Sequence, residues 1–154
     1  MLHPRHLFTT LLLVLFLIPS LPADAEEIKI DGVLDEALWS SAREWTEYFE
    51  SIPFSLAEPK HAQKVLILED EKGMYFGFIN EQPRETIRAN QHQRDNERAN
   101  ADRAGVSIDF DGDGLTAYGF SVSAGGSISD SIYRNENQGN TDWDADWDSA
   151  THIE

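Results

Sequence analysis

Asp109-Phe110-Asp111-Gly112-Asp113-Gly114 places three carboxylates two residues apart ahead of a glycine. Hard oxygen ligands gathered at a tight turn suit calcium, and the run opens in the manner of a D-x-D-x-D-G calcium loop. An EF-hand needs a bidentate glutamate at the twelfth position of such a loop, and that position here is Phe120. The EF-hand is therefore excluded, which leaves a noncanonical site in which Asp109, Asp111 and Asp113 are the candidate calcium ligands. Aspartate and glycine also favour turns for reasons of backbone geometry, and a hairpin turn is the plainer account of the same residues. A second row, Asp142, Asp144, Asp146 and Asp148, puts carboxylates about 7 Å apart along one side of an extended chain. Without a further segment to complete a site, that row is a solvated face.

Sugar recognition requires aromatic planes for pyranose faces and polar groups for hydroxyls. Trp45, Tyr133 and Trp143 are the candidate ligand-binding residues, whereas Trp147 falls in line with Ala145 and Ile153 and reads as core. Catalysis has no comparable signature. Carboxylates are abundant, but glycoside hydrolysis needs two of them set at a defined spacing across a cleft. His61, His92 and His152 stand apart from one another and from any Gly-x-Ser-x-Gly or His-Glu-x-x-His pattern. No catalytic residue is assigned, and the chain is not expected to be an enzyme.

The elements that must carry these groups begin after a leader. His3, Arg5 and His6 precede an apolar run over residues 7–18, and Ala23-Asp24-Ala25 supplies small residues two apart. Residues 1–25 thus read as a secretory signal peptide, too short in its apolar run for the ~20 residues that span a bilayer. Residues 26–154 remain as one exported domain with no membrane span of its own, periplasmic, outer-membrane-associated or extracellular. There is no cysteine, so packing, and a metal if one binds, must hold the fold. A net charge of −16 argues against nucleic acid and anionic lipid as partners, since both are bound through basic patches. Cations and neutral polymers fit better, and a divalent cation would relieve the self-repulsion of so acidic a chain.

Ile28 and Ile30 alternate with charged residues as in a short strand, and Asp31-Gly32 turns the chain. Asp35 is placed to cap a short helix carrying Leu34, Leu38 and Ala42 at helical spacing, with Trp39 as its anchor. Residues 44–49 alternate as a strand, and Pro53 and Pro59 mark a loop. Residues 64–68 and 74–79 form a hairpin about the turn at residues 69–73. A polar tract over residues 88–103 reads as a surface loop of the length that often carries function. Residues 105–110, 115–123 and 127–133 make a three-stranded meander, and residues 143–153 a last strand with Trp143, Ala145, Trp147, Ser149, Thr151 and Ile153 on one face. Strands outnumber helices, which points to an all-β antiparallel sandwich with one short N-terminal helix.

IKIDGVLDEALW (residues 28–39), KVLILEDEKGMYFGFINEQP (64–83), DRAGVSIDFDGDGLTAYGFSVSAGGSISD (102–130) and DWDADWDSATHI (142–153), in that order, resemble the family 9 carbohydrate-binding module. The likeness is greatest to the version at the N-terminus of long bacterial secreted or outer-membrane proteins, and it spans nearly all of residues 26–154. It implies a β-sandwich whose final strands lie beyond Glu154, and a noncatalytic module with a glycan ligand or, failing that, contacts to another envelope protein segment. Some members bind structural calcium, which the resemblance extends to Asp109, Asp111 and Asp113. In sugar-binding members two tryptophans clamp the ligand; this chain carries Asn100, Ala101 and Asp102 where the first is expected, and the second falls beyond Glu154.

Overall fold

The computed structural model describes residues 27–96, 98–134 and 138–154. The expected signal peptide lies outside the described residues. Among the described residues seven strands form two antiparallel sheets. β1 (Arg43–Trp45), β2 (Gln63–Glu69) and β3 (Met74–Asn80) make the first, in the order β1-β2-β3. β4 (Arg103–Ile108), β5 (Thr116–Ser123), β6 (Ile128–Arg134) and β7 (Gln138–Asn140) make the second, in the order β4-β5-β6-β7. The only helices among the described residues are two short 3-10 turns, Ala37–Ser41 and Arg84–Thr86. The all-β expectation is met in this form, and no helix among the described residues is long and apolar enough to cross a membrane.

The β2–β3 hairpin and the β4–β5–β6 meander fall within two residues of the spans read from alternation and turn residues. At the hairpin turn Asp70 Oδ1 accepts the Lys72 and Gly73 amides, closing the chain reversal with a side chain. The N-terminal expectations are corrected. Residues 28–30 are not a strand, because the Lys29 amide donates to Glu36 Oε1 (2.8 Å) instead of to a ladder. Nor does Asp35 cap the helix: the cap position is Glu36, in an extended conformation and with no side-chain bond to the turn's amides. Its second oxygen accepts the Trp39 indole N–H at 2.9 Å, so one buried carboxylate ties the N-terminal segment to the helix. The Lys29 amide, aided by the Trp39 indole, holds the Glu36 carboxyl below its usual range.

Trp39 and Ile28 are buried as anchors of this end of the molecule. Leu34 and Trp39 lie over Gly77 of β3, where a Cβ would stand 2.8 Å from Leu34 Cδ1. Small and large residues therefore interlock across this contact. The strand expected over residues 44–49 is reduced to β1, whose three residues are exposed on an edge. The segment after it, Phe49, Ile52, Phe54 and Leu56, leaves four large apolar side chains in solvent.

The last segment is corrected as well. Residues 143–153 belong to no ladder, yet their burial alternates as expected as far as Ser149, with Trp143, Ala145 and Trp147 half-buried and Asp142, Asp144, Asp146 and Asp148 exposed; beyond it Ala150 is half-buried and Thr151 exposed, the reverse of the expected faces. Trp143 packs on Tyr118 and Phe120 (centroids 5.0 and 6.0 Å) and Trp147 on Phe120 (5.5 Å), covering the apolar face of the second sheet. The far end passes Gly32, whose φ of +85° and missing Cβ admit the Thr151 and His152 backbone. β7 was not anticipated.

Candidate functional site: a serine-lined groove

Residues directly opposite one another in an antiparallel ladder share a face. The register pairs Gly105 with Ser121, Ser107 with Gly119, Gly119 with Ser131, Ser121 with Ser129 and Ala117 with Tyr133. At these positions one face of β4–β6 is accordingly built from glycine, serine, alanine and a single aromatic ring. The other carries Val106, Ile108, Tyr118, Phe120 and Ile132, and it is this side that Trp143 and Trp147 cover. The alternation that makes one face a core strips the other of bulk.

The stripped face holds an open cavity of about 160 Å3, lined by Ser107, Gly119, Ser121, Ser129, Ser131 and Tyr133 with their neighbours. Ser129 and Ser131 are only 6% and 4% exposed, and their hydroxyls have no hydrogen-bond partner among the described residues. Ser121 makes one long bond, 3.5 Å to the Ser129 carbonyl. Neither hydroxyl is sealed from solvent: both face the open cavity, where water or a ligand can supply the bond. Tyr133 is held between two glycines: a Cβ on Gly119 would lie 2.7 Å from its ring, and one on Gly139 3.1 Å. Both glycines make the room that the ring occupies.

Of the three aromatic candidates, the structure brings only Tyr133 to this groove. Trp143 is engaged with Tyr118 and Phe120 on the opposite face. Trp45 lies on the β1 edge, 43% exposed, its indole donating to the Glu47 carbonyl. The aspartates of the Asp109 turn do not converge. Asp109 accepts the amides of Gly114 (2.7 Å), Gly112 (2.8 Å) and Asp111 (3.2 Å), and Asp113 accepts that of Leu115. The Gly114 amide in particular, with those of Gly112 and Asp111, holds the Asp109 carboxyl below its usual range. Turn geometry accounts for these residues.

Among the described residues, the acidic groups whose oxygens do converge are Asp95, Asp130 and Asp144, within 4.8 Å of one another. A guanidinium already stands among them. Arg94 reaches Asp130 (2.7 Å), Asp144 (3.2 Å) and Asp95 (3.7 Å). Asp130 is 1% exposed and also accepts the Ala145 amide at 2.6 Å, while its own amide donates to Asp95 Oδ1. Burial pushes the Asp130 carboxyl up, but bonds from Arg94 and Ala145 and the guanidinium charge outweigh it and hold the group below its usual range. This cluster is a clamp. It fastens the polar loop before β4 and the segment after β7 to the middle of β6. No sequence pattern announced it, because its members are spread over some fifty positions.

Fold and groove together define an all-β protein with two antiparallel sheets and an open, hydroxyl-lined face. No family model, curated protein or solved structure matches this chain.

Proposed function

We propose that the chain is a noncatalytic, exported carbohydrate-binding module, its two sheets stacked as a sandwich and its ligand held on the serine-lined face of β4–β6. The observation that carries this reading is the row of serines, Ser107, Ser121, Ser129 and Ser131, that lines an open cavity beside Tyr133. Sugars present hydroxyl groups that both donate and accept, and a serine hydroxyl answers either role. Tyr133 supplies apolar surface for a ring. The strong negative charge favours neutral glycans over polyanionic ones.

Affinity electrophoresis through gels containing soluble neutral glycans tests the proposal. Retardation is expected for at least one glycan, abolished in Tyr133→Ala and retained in Trp45→Ala. Absence of retardation across a broad panel rejects it.

A second reading, an interaction segment of a larger envelope protein that calcium would order, is favoured by the exposed Phe49, Ile52, Phe54 and Leu56. Its measurement is the melting temperature in calcium against chelator. A rise of several degrees carries it, and superposable melts dispose of the metal.

A further inference from the structure

A second cavity, of about 110 Å3, adjoins the first and is lined by Asp109, Gly114, Leu115, Thr116, Ala117 and Tyr133. Tyr133 is common to both. The two follow one another along β5, the first beside Gly119 and Ser121, the second beside Thr116 and Ala117. Three to four residues of strand separate their centres, roughly 10 Å or a little more. Each is smaller than the ~300 Å3 at which small-molecule pockets begin, and neither encloses a ligand.

Resting on the carbohydrate reading above, we infer that the ligand is a chain of neutral sugar units lying along β5, with Tyr133 dividing the face into two subsites. A single pyranose ring fills one cavity and leaves the other in water. A short oligosaccharide occupies both and crosses Tyr133 between them. The two ends differ in chemistry. The first offers the hydroxyls of Ser107, Ser121, Ser129 and Ser131, and the second offers the apolar side chain of Leu115 and the hydroxyl of Thr116. Asp109 is a positioning residue for the second subsite, because its carboxylate gathers the amides of the turn that forms that wall.

Isothermal titration of the full chain with glucose, cellobiose, cellotriose and cellotetraose, and with the matching xylose and mannose series, tests this. Affinity is expected to rise by about tenfold or more between the monosaccharide and the tetrasaccharide of the series that binds. Leu115 is 62% exposed, so Leu115→Arg fills the second subsite at little risk to folding; it should bring the tetrasaccharide down to the affinity of the disaccharide. Tyr133→Ala should weaken every length. Equal affinity for monosaccharide and tetrasaccharide, or a tetrasaccharide indifferent to Leu115→Arg, overturns the two-subsite inference while leaving the module reading intact. Failure of every series to bind overturns both.

Discussion

Replacing Asp130 with alanine removes the centre of the clamp, and its cost follows from the bonds present. The carboxylate is 1% exposed and accepts from Arg94 at 2.7, 2.9 and 3.2 Å and from the Ala145 amide at 2.6 Å. Hydrogen bonds to a charged group contribute about 1.5–3 kcal/mol each, and breaking a buried pair from one side costs about 3–5 kcal/mol. Arg94 keeps 38% of its side-chain surface in water and recovers hydration when its partner is lost, which sets the expectation at the lower end. A loss of about 3 kcal/mol is expected, a large share of the ~5–15 kcal/mol that holds a typical domain. For a chain of this size that corresponds to a melting temperature lower by about 10 °C. Urea denaturation at pH 7 followed by tryptophan fluorescence is the assay, because Trp143 and Trp147 pack on Phe120 in the segment that the clamp retains. Asp130→Asn keeps an acceptor for Ala145 while discarding the charge, and should lose about half as much. A shift below about 0.5 kcal/mol in Asp130→Ala, the range of ordinary surface changes, would refute the clamp. So would Arg94→Ala and Asp130→Ala losses that simply add in the double variant, since partners in one network must couple.

Glu36, Asp102, Asp109 and Asp130 are all held below the usual carboxylate range in the folded chain. A folded-state value below the unfolded one means that their stabilisation is complete above the ordinary values and is lost as pH falls through the folded ones. Urea midpoints should therefore decline below about pH 4, and less steeply in Asp130→Asn than in the parent. Gly32→Ala combines a left-handed φ of +85° with a Cβ 2.7 Å from the Thr151 carbonyl carbon. It should destabilise by about 2 kcal/mol or more and loosen residues 143–153, read as a change in tryptophan emission that Gly73→Ala, with no atom within 4 Å of its added Cβ, does not show. Glu36→Ala leaves the Lys29 amide and the Trp39 indole without their acceptor and should lower the melting temperature by several degrees, with Glu36→Gln intermediate.

Much of the β-structure is legible in the sequence because alternation and turn chemistry agree. Asp70 with Gly73, and Asp109 with Gly112 and Gly114, close their turns with the side-chain bonds that such residues favour. The N-terminal segment misleads because Glu36, seven residues away, takes the Lys29 amide that a ladder would have used. Residues 143–153 mislead more subtly. Their period of two holds as far as Ser149, but it records burial against Phe120 and Tyr118 and not pairing with a neighbouring strand. For the groove a signal was present in Gly105 and Ser107, Gly119 and Ser121, Ser129 and Ser131, which repeat small residues at strand spacing. Attention to bulky and charged residues passes over it, and only the register shows that the three pairs lie side by side. Tyr133 was legible as an aromatic candidate; that Trp45 and Trp143 lie elsewhere depends on tertiary packing.

The terminal segment contains a near-repeat, Asp142-Trp143-Asp144-Ala145 followed by Asp146-Trp147-Asp148-Ser149. Sliding it by four positions would exchange tryptophan for tryptophan, aspartate for aspartate and one small residue for another, so the segment by itself scarcely distinguishes two alignments. The choice is made by its surroundings. Ala145 meets Asp130, Asp144 meets Arg94, and Thr151 and His152 pass the bare Cα of Gly32. Alignment is thus stored in the receiving surface and not in the piece received. Weakening those three contacts together would convert a single docked arrangement into two of nearly equal population.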